Sequence, residues 1–257
     1  MSKPPDYRSL PTRFEQAWQQ RFQSFARNGT DDASIAGWTR SGLAVRVRNF
    51  NRHWSATNPP GRWLDAGCGA GTYMRLLLQG GADVVGLDYS LPSLIKARAA
   101  VTECSSWCAA DVNHLPLRPA LFDGALCFGV LQAVSGSQSV IAELRRVTRP
   151  GGVIWVDALN ANCLPNRLVR VSRWLRRRPM HLRYETPARL AAILRAQGLV
   201  DVETQWIPIL PERYQRWQAL LETPRMRRLL RAWPMLAGWL CHAFALRARL
   251  PATGGGA

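Results

Sequence analysis

The sequence predicts an α/β fold, a mostly parallel sheet with helices on both faces. Three observations carry that prediction. Short apolar runs alternate with amphipathic stretches from residue 62 onward, and Gly or Pro closes the amphipathic stretches. Acidic residues, Asp65, Asp88 and Asp111, recur at the ends of the first three apolar runs. With 257 residues, 47% hydrophobic and 20% charged, the chain is long and apolar enough to bury a sizeable core, which excludes a disordered tail protein.

Each element follows from its own pattern. Over residues 12–26, Phe14, Trp18, Phe22 and Phe25 share one helical face that needs a surface to cover. A second helical pattern spans about 38–55 (Trp38, Leu43, Val47, Phe50, Trp54), and Asn58-Pro59-Pro60-Gly61 breaks it. Residues 1–60 are therefore an N-terminal helical segment, and the main domain covers 61–257. Strands RWLDAG, DVVGLD, SSWCAAD, FDGALCFG and VIWVDAL alternate with helices TYMRLLLQGG, SLPSLIKARAAV and SQSVIAELRRV. An insert over about 160–184 interrupts the alternation. Thr186-Pro187 then reads as an N-cap followed by Pro in the first turn, opening a helix that ends near Gln197-Gly198. VDVETQWIPI alternates as a strand, 212–236 is a helical excursion, and HAFALRARL reads as a last strand or the end of a long helix.

Charge is uneven. Against a net +17, residues 61–160 carry 8 basic and 8 acidic side chains, whereas 161–257 carry 17 and 5. Anionic surroundings are implied. Leu164, Leu168, Val171, Trp174 and Leu175 recur at helical spacing with arginines between them; the stretch reads as a helix lidding an acceptor pocket, or else as an interfacial helix on an anionic membrane. The opening MSKPPDYRSLPTRF carries charge and proline where a signal peptide needs an apolar run, so export is not expected. Six cysteines form no CxxC pair, and Cys104/Cys108 lack companion ligands; free cytoplasmic thiols and no metal are expected. Ala232–Leu246 falls short of the roughly 20 apolar residues of a spanning helix.

The chemistry concentrates in Asp65-Ala66-Gly67-Cys68-Gly69-Ala70-Gly71, a glycine loop between a strand and a helix, where the backbone can approach a ligand without Cβ interference. Asp88, 19 residues after Gly69, ends the next strand, where a carboxylate can accept from both ribose hydroxyls. The GxGxG spacing behind Asp65 differs from the GxGxxG of dinucleotide sites, and a carboxylate there repels a pyrophosphate but attracts an ammonium.

LDAGCGAG, GLDYS, AADVNHLPL, FDGALCFGVLQAV and RRVTRPGGVIWVD resemble, in order and spacing, the motifs of class I S-adenosylmethionine-dependent methyltransferases, most closely the small-molecule group that includes quinone-biosynthesis enzymes. The resemblance implies a Rossmann-like, mostly parallel seven-stranded sheet with an N-terminal helical lid and helical inserts. It implies S-adenosylmethionine as cofactor: Gly67, Gly69 and Gly71 against its methionine and ribose, Asp65 on the ammonium, and Asp88 at the ribose, with Tyr89 also among the cofactor-binding residues. Asp111 and Val112 would flank the adenine, with Phe128 beside the methionine end. The expected activity is methyl transfer by in-line displacement to a small or lipid-linked acceptor, in the cytoplasm or at the inner face of the membrane.

Such transfer is mainly a positioning task. Gln132-Ala133 stand where the family often has a histidine, so no catalytic base is assigned. His114 is read as a loop residue; His53, His181 and His242 lie outside the motifs, and Tyr7 and Trp38 are cover aromatics. No nucleic-acid module accompanies the charge, which leaves an RNA or DNA methyltransferase, or a non-catalytic cofactor-binding scaffold, as the alternatives.

Overall fold

The computed structural model describes residues 12–54, 61–101, 106–178, 180 and 182–252. Tyr7, Cys104, His181, the Asn58-Pro59-Pro60 breaker and the GGGA tail lie outside them. Helices α1 (Arg13–Asn28), α2 (Asp32–Ile35) and α3 (Arg40–Trp54) come first. The alternating part follows as β1 (Arg62–Ala66), α4 (Thr72–Gln79), β2 (Asp83–Asp88), α5 (Leu91–Ala100), β3 (Ser106–Ala109), β4 (Phe122–Cys127), α6 (Ser137–Val147) and β5 (Thr148–Leu159). Then come α7 (Leu164–Leu175), α8 (Pro187–Ala196), β6 (Val200–Ile207), a 3-10 turn Glu212–Trp217, α9 (Gln218–Leu221), α10 (Pro224–Ala232), α11 (Pro234–Leu240) and β7 (Ala243–Arg249).

The seven strands form one sheet in the order β3-β2-β1-β4-β5-β7-β6, parallel except for β7, which pairs antiparallel with both β5 and β6. Alternation of side chains along each central strand builds two cores, one on each face. Trp63, Leu126 and Trp155 enter one core, whereas Leu64, Ala125 and Ile154 enter the other. Each large side chain buried here stabilises by roughly 1.5–3 kcal/mol, so the sheet is held from both sides. HAFALRARL resolves as a strand: six of the seven residues of β7 are buried, which erases the polar alternation that would have marked it.

Local signals act where the sequence puts them. Thr12 and Glu15 form a capping box at α1, and Thr186 caps α8 with Pro187 at its start. Asp111 does not close β3, as its apolar run suggested; β3 stops at Ala109 and Asp111 stands in the following loop. Helix α3 is tied down by Arg48 and Arg52, both paired with Glu222, and by a buried ion pair between Arg46 and Asp157 of β5 at 3.2 Å.

Candidate functional site

The parallel strands all end on one edge of the sheet. Chain order reverses between β1 and β4, and the loops leaving that switch point diverge and open a crevice. A cleft of ≈ 960 Å³, open solvent included, lies there. Its floor is Gly67–Ala70 with Thr72, one wall carries Asp88, Tyr89 and Asp111–Asn113, and the other carries Phe128–Val130 with Ala133 and Val134. Trp18 and Phe22 of α1, with Trp38 just before α3, lie over it. This is the surface that the aromatic face of α1 covers.

Gly67, Gly69 and Gly71 all adopt positive φ (86°, 52° and 78°), so three left-handed residues turn β1 into α4. The N–H groups of Gly67 and Cys68 both donate to the Leu87 carbonyl, at 2.6 and 2.9 Å, which fastens the loop to the end of β2. A Cβ on Gly67 would overlap Val130, whereas one on Gly69 would meet nothing within 4 Å. The bare backbone at Gly69 therefore faces open cleft. Gly71 caps α4 against Ala97 and Val101 and does not line the cleft.

Asp88 is buried, and both of its oxygens accept backbone N–H groups: Oδ2 from Gly69 at 2.9 Å and Oδ1 from Ser90 at 2.8 Å. Burial pushes its carboxyl up, and the N–H groups of Ser90, Gly69 and Tyr89 pull it back only in part. Each oxygen keeps a second lone pair for a ligand hydroxyl. Tyr89 Oη donates to the carbonyls of Trp18 and Gln19, both at 3.3 Å, and so pins α1 over the cleft. Asp111 Oδ1 accepts from the Asn113 backbone and side chain at 2.8 and 3.0 Å, and Val112 is buried beside it. Phe128 packs edge-on against Tyr73 at 4.8 Å.

Asp65 departs from the expectation of a residue in the cleft. It sits behind the glycine loop, 1% exposed and off the cleft lining. Its Oδ2 has no hydrogen-bond partner. Burial, and secondarily the charge of Asp88, push its carboxyl up to about 7, against the N–H of Met74. A buried carboxyl oxygen without a donor costs about 1–3 kcal/mol, a cost that a nearby cation or donor relieves.

Several lining residues were not read from the sequence as site residues, Tyr73 and Glu15 among them. Tyr73, two residues past Gly71, is buried in the cleft wall, and its Oη has no partner. Its place in the first turn after the loop was the available signal. Glu15 lines the cleft from α1, and its Oε1 accepts the Ser135 N–H at 2.9 Å. Burial alone would raise its carboxyl, but the N–H groups of Ser135 and Thr12 hold it below the usual range. Trp38 lies under the Arg46 guanidinium at 4.4 Å, and Asp157, the partner of Arg46, accepts the Gly129 N–H at 2.6 Å.

Among the described residues no histidine lines the cleft; His53 and His242 lie elsewhere, and burial pushes His242 down to about 4. None of residues 164–178 lines it either, so the insert does not lid this pocket. Among the described residues no group of three or more His, Cys, Asp or Glu gathers as a metal site.

Residues 64–156 match the family model described as a methyltransferase domain. A malonyl-[acyl-carrier protein] O-methyltransferase of Pseudescherichia vulneris is 38% identical over 106 residues, covering 41% of this chain and 42% of that protein. A ubiquinone biosynthesis O-methyltransferase of Paraburkholderia phymatum is 28% identical over 178 residues, covering 65% and 75%. The chain thus spans less than half the length of the malonyl-[acyl-carrier protein] O-methyltransferases it matches, 37–42% of each. In fold it is similar to a magnesium protoporphyrin IX methyltransferase of Synechocystis PCC 6803, solved with bound SAH, at TM-score 0.62 and 16% identity over 92% of this chain and 99% of that one. Over residues 64–156, which hold the glycine loop and the Asp88 and Asp111 wall of the cleft, the chain is thus similar to methyltransferase domains, and its seven-stranded sheet resembles the solved neighbour in fold only.

Proposed function

We propose that the chain transfers a methyl group from S-adenosylmethionine to a small or lipid-linked acceptor, in a reducing, cytoplasmic setting. One observation carries the reading: Asp88, Asp111, Val112 and the bare Gly69 backbone line a single cleft, with the unpartnered Oδ2 of Asp65 behind it. These residues fit the cofactor. Asp88 takes the ribose hydroxyls on its remaining lone pairs, with Tyr89 beside it, and Asp111 and Val112 flank the adenine. Gly67 and Gly69 lie against the methionine and ribose, and Gly71 starts the helix behind them. Asp65 answers the ammonium from behind the loop, and Phe128 closes the methionine end.

When bound, the cofactor supplies a methyl group already activated on a sulfonium. The chain aligns and dries the site. Trp18, Phe22 and Trp38 form its cover, and α1, held by Tyr89, acts as a lid. Trp38, Ala133 and Val134 give the open end an apolar lining, which suits a small or lipid-linked acceptor better than a nucleic acid. Among the described residues no histidine lines the cleft, a lining that suits an acceptor oxygen acidic enough to need no general base. Both relatives named above are O-methyltransferases, and we extend that to this chain.

The test has two arms. Calorimetric titration with S-adenosylhomocysteine should show binding that Asp88→Ala weakens by about 1.5–3 kcal/mol, since charge-assisted hydrogen bonds are lost. Labelled cofactor incubated with fractionated extract should mark the lipid or small-metabolite fraction. Folded protein that binds no S-adenosylhomocysteine refutes the reading, and binding without transfer to any fraction makes it a scaffold.

A further inference from the structure

Helix α7 has one buried residue, Asn166, and that side chain serves as a hook. Asn166 Nδ2 donates to the carbonyls of Asn160 at 2.8 Å and His242 at 3.2 Å, while Asn160 Nδ2 donates to those of Gly238 and Cys241, both at 2.8 Å. The start of α7 is thus fastened to the end of α11. Beyond the hook, Leu168 (70% exposed), Val171 and Trp174 (76%) form an apolar stripe at helical spacing, open to solvent. Helix α11 presents a second exposed apolar group, Trp233, Met235 (75%) and Trp239.

Topology puts both groups on the edge of the sheet that holds the cleft. Helix α7 leaves the C-terminal end of β5, and α11 enters β7, whose first residue Ala243 pairs with Leu159 at the end of β5. The chain returning from α7 donates the Arg183 N–H to the Gln132 carbonyl at 3.0 Å, next to Ala133 and Val134 of the cleft wall. Charge separates this rim from the rest. No acidic residue occurs from Ala161 to Tyr184, where seven arginines stand, nor from Thr223 to Arg249. Arg167, Arg170 and Arg178 line a hollow with Trp174 and Met180 on the same helix and the turn after it.

We infer that α7 and α11 form a docking surface for an anionic lipid bilayer. Leucine, valine and tryptophan enter the acyl boundary while the long arginine side chains reach back to the phosphates, a division that an interfacial helix makes. The aliphatic members of the stripe have nothing to stack on in a nucleic acid, and an all-basic rim repels a second copy of itself. Among the described residues no helix is long and apolar enough to cross a membrane, so the contact is peripheral. Docking sets the cleft mouth beside the bilayer, where a lipid-linked acceptor would be drawn in. That last step rests on the methyl-transfer reading; the docking does not.

Flotation of the full chain with vesicles tests it. Binding to phosphatidylcholine vesicles containing phosphatidylglycerol, but not to phosphatidylcholine alone, is expected at about 0.1 M salt. Leu168→Glu with Trp174→Glu, and separately Arg167→Glu with Arg170→Glu, should each lower partitioning by roughly tenfold or more. Titration of the same samples with S-adenosylhomocysteine should give unchanged affinity, which shows the variants folded and keeps a failure of docking distinct from a failure of the cofactor reading. The inference is overturned if wild-type protein stays off anionic vesicles. It is overturned equally if the apolar variants bind vesicles as well as wild type, if their only effect is to split a dimer, or if RNA competes the protein off the vesicles through the arginines alone.

Discussion

Asp65 offers the sharpest test, because one buried carboxyl links stability to ligand binding. Its ordinary value of 3.8 applies to the unfolded chain, whereas burial and Asp88 push it up to about 7 in the fold. The folded state therefore holds the proton more tightly, and stability falls as pH rises from about 4 through 7 and then levels off. At 1.36 kcal/mol per unit, the full span amounts to about 4 kcal/mol, of which roughly 2–3 kcal/mol is lost between pH 5 and pH 8. Asp65→Asn keeps the shape and removes the titration, though its amide nitrogen inherits the unpartnered position at about 1–3 kcal/mol. Urea unfolding of the ligand-free protein should show a wild-type stability that declines across that interval and a flatter variant, with the two curves converging or crossing near pH 8. Added S-adenosylhomocysteine should stabilise the wild type at pH 8 far more than the variant, since only the wild type gains a counter-ion. Parallel pH profiles for the two proteins would refute the placement of an unmatched charge behind the loop.

Three further outcomes follow from the geometry. Gly67→Ala puts a Cβ into Val130 at a φ of 86°, and should abolish S-adenosylhomocysteine binding in calorimetry while circular dichroism still shows the fold. Arg46→Ala leaves Asp157 buried without its partner and removes the cation above Trp38; a loss of about 3–5 kcal/mol in urea unfolding is expected, and a loss under 1 kcal/mol would contradict the pair's burial. Tyr89→Phe deletes two long bonds to α1 carbonyls and should cost only about 1 kcal/mol overall, yet hydrogen exchange in α1 should speed up selectively.

The cleft was legible in the sequence because parallel strands deliver their C-terminal ends to one edge. Gly67, Asp88 and Phe128 could be grouped without knowing any contact between them. What the chain covers with was partly legible: Trp18 and Phe22 announced an apolar face, but only the Tyr89 bonds reveal which surface receives it. Pairing over long sequence distances was not legible. The insertion of β7 between β5 and β6, and the burial that hides its alternation, depend on which strand arrives beside β5. The insert stayed ambiguous in the sequence for a related reason. Its apolar spacing says that a face is to be covered, and a lid and a lipid surface satisfy that spacing equally; Asn166, a polar residue among leucines, was the one sign that α7 is tethered at its start.

The unmatched polar atoms bear on why the site is built as it is. Asp65 Oδ2 lies behind the glycine loop and Tyr73 Oη in the cleft wall, each buried without a partner, and both raise the free energy of the ligand-free fold. Elsewhere the same fold satisfies buried polar groups carefully, as the Asn160 and Asn166 hooks and the Ser137–Glu185–Arg183 contacts show. Gln205 Oε1 and Arg227 Nε are also buried without a partner, but at the β1–α4 junction the neglect falls in and behind the cleft wall. It is what a site requires if its binding energy comes from relieving an internal debt, because a ligand that brings a cation and a donor to those atoms recovers several kcal/mol that a preassembled, self-satisfied loop could not return. The S-adenosylmethionine of the proposed function carries an ammonium and hydroxyls, groups that suit the unpartnered atoms at this junction.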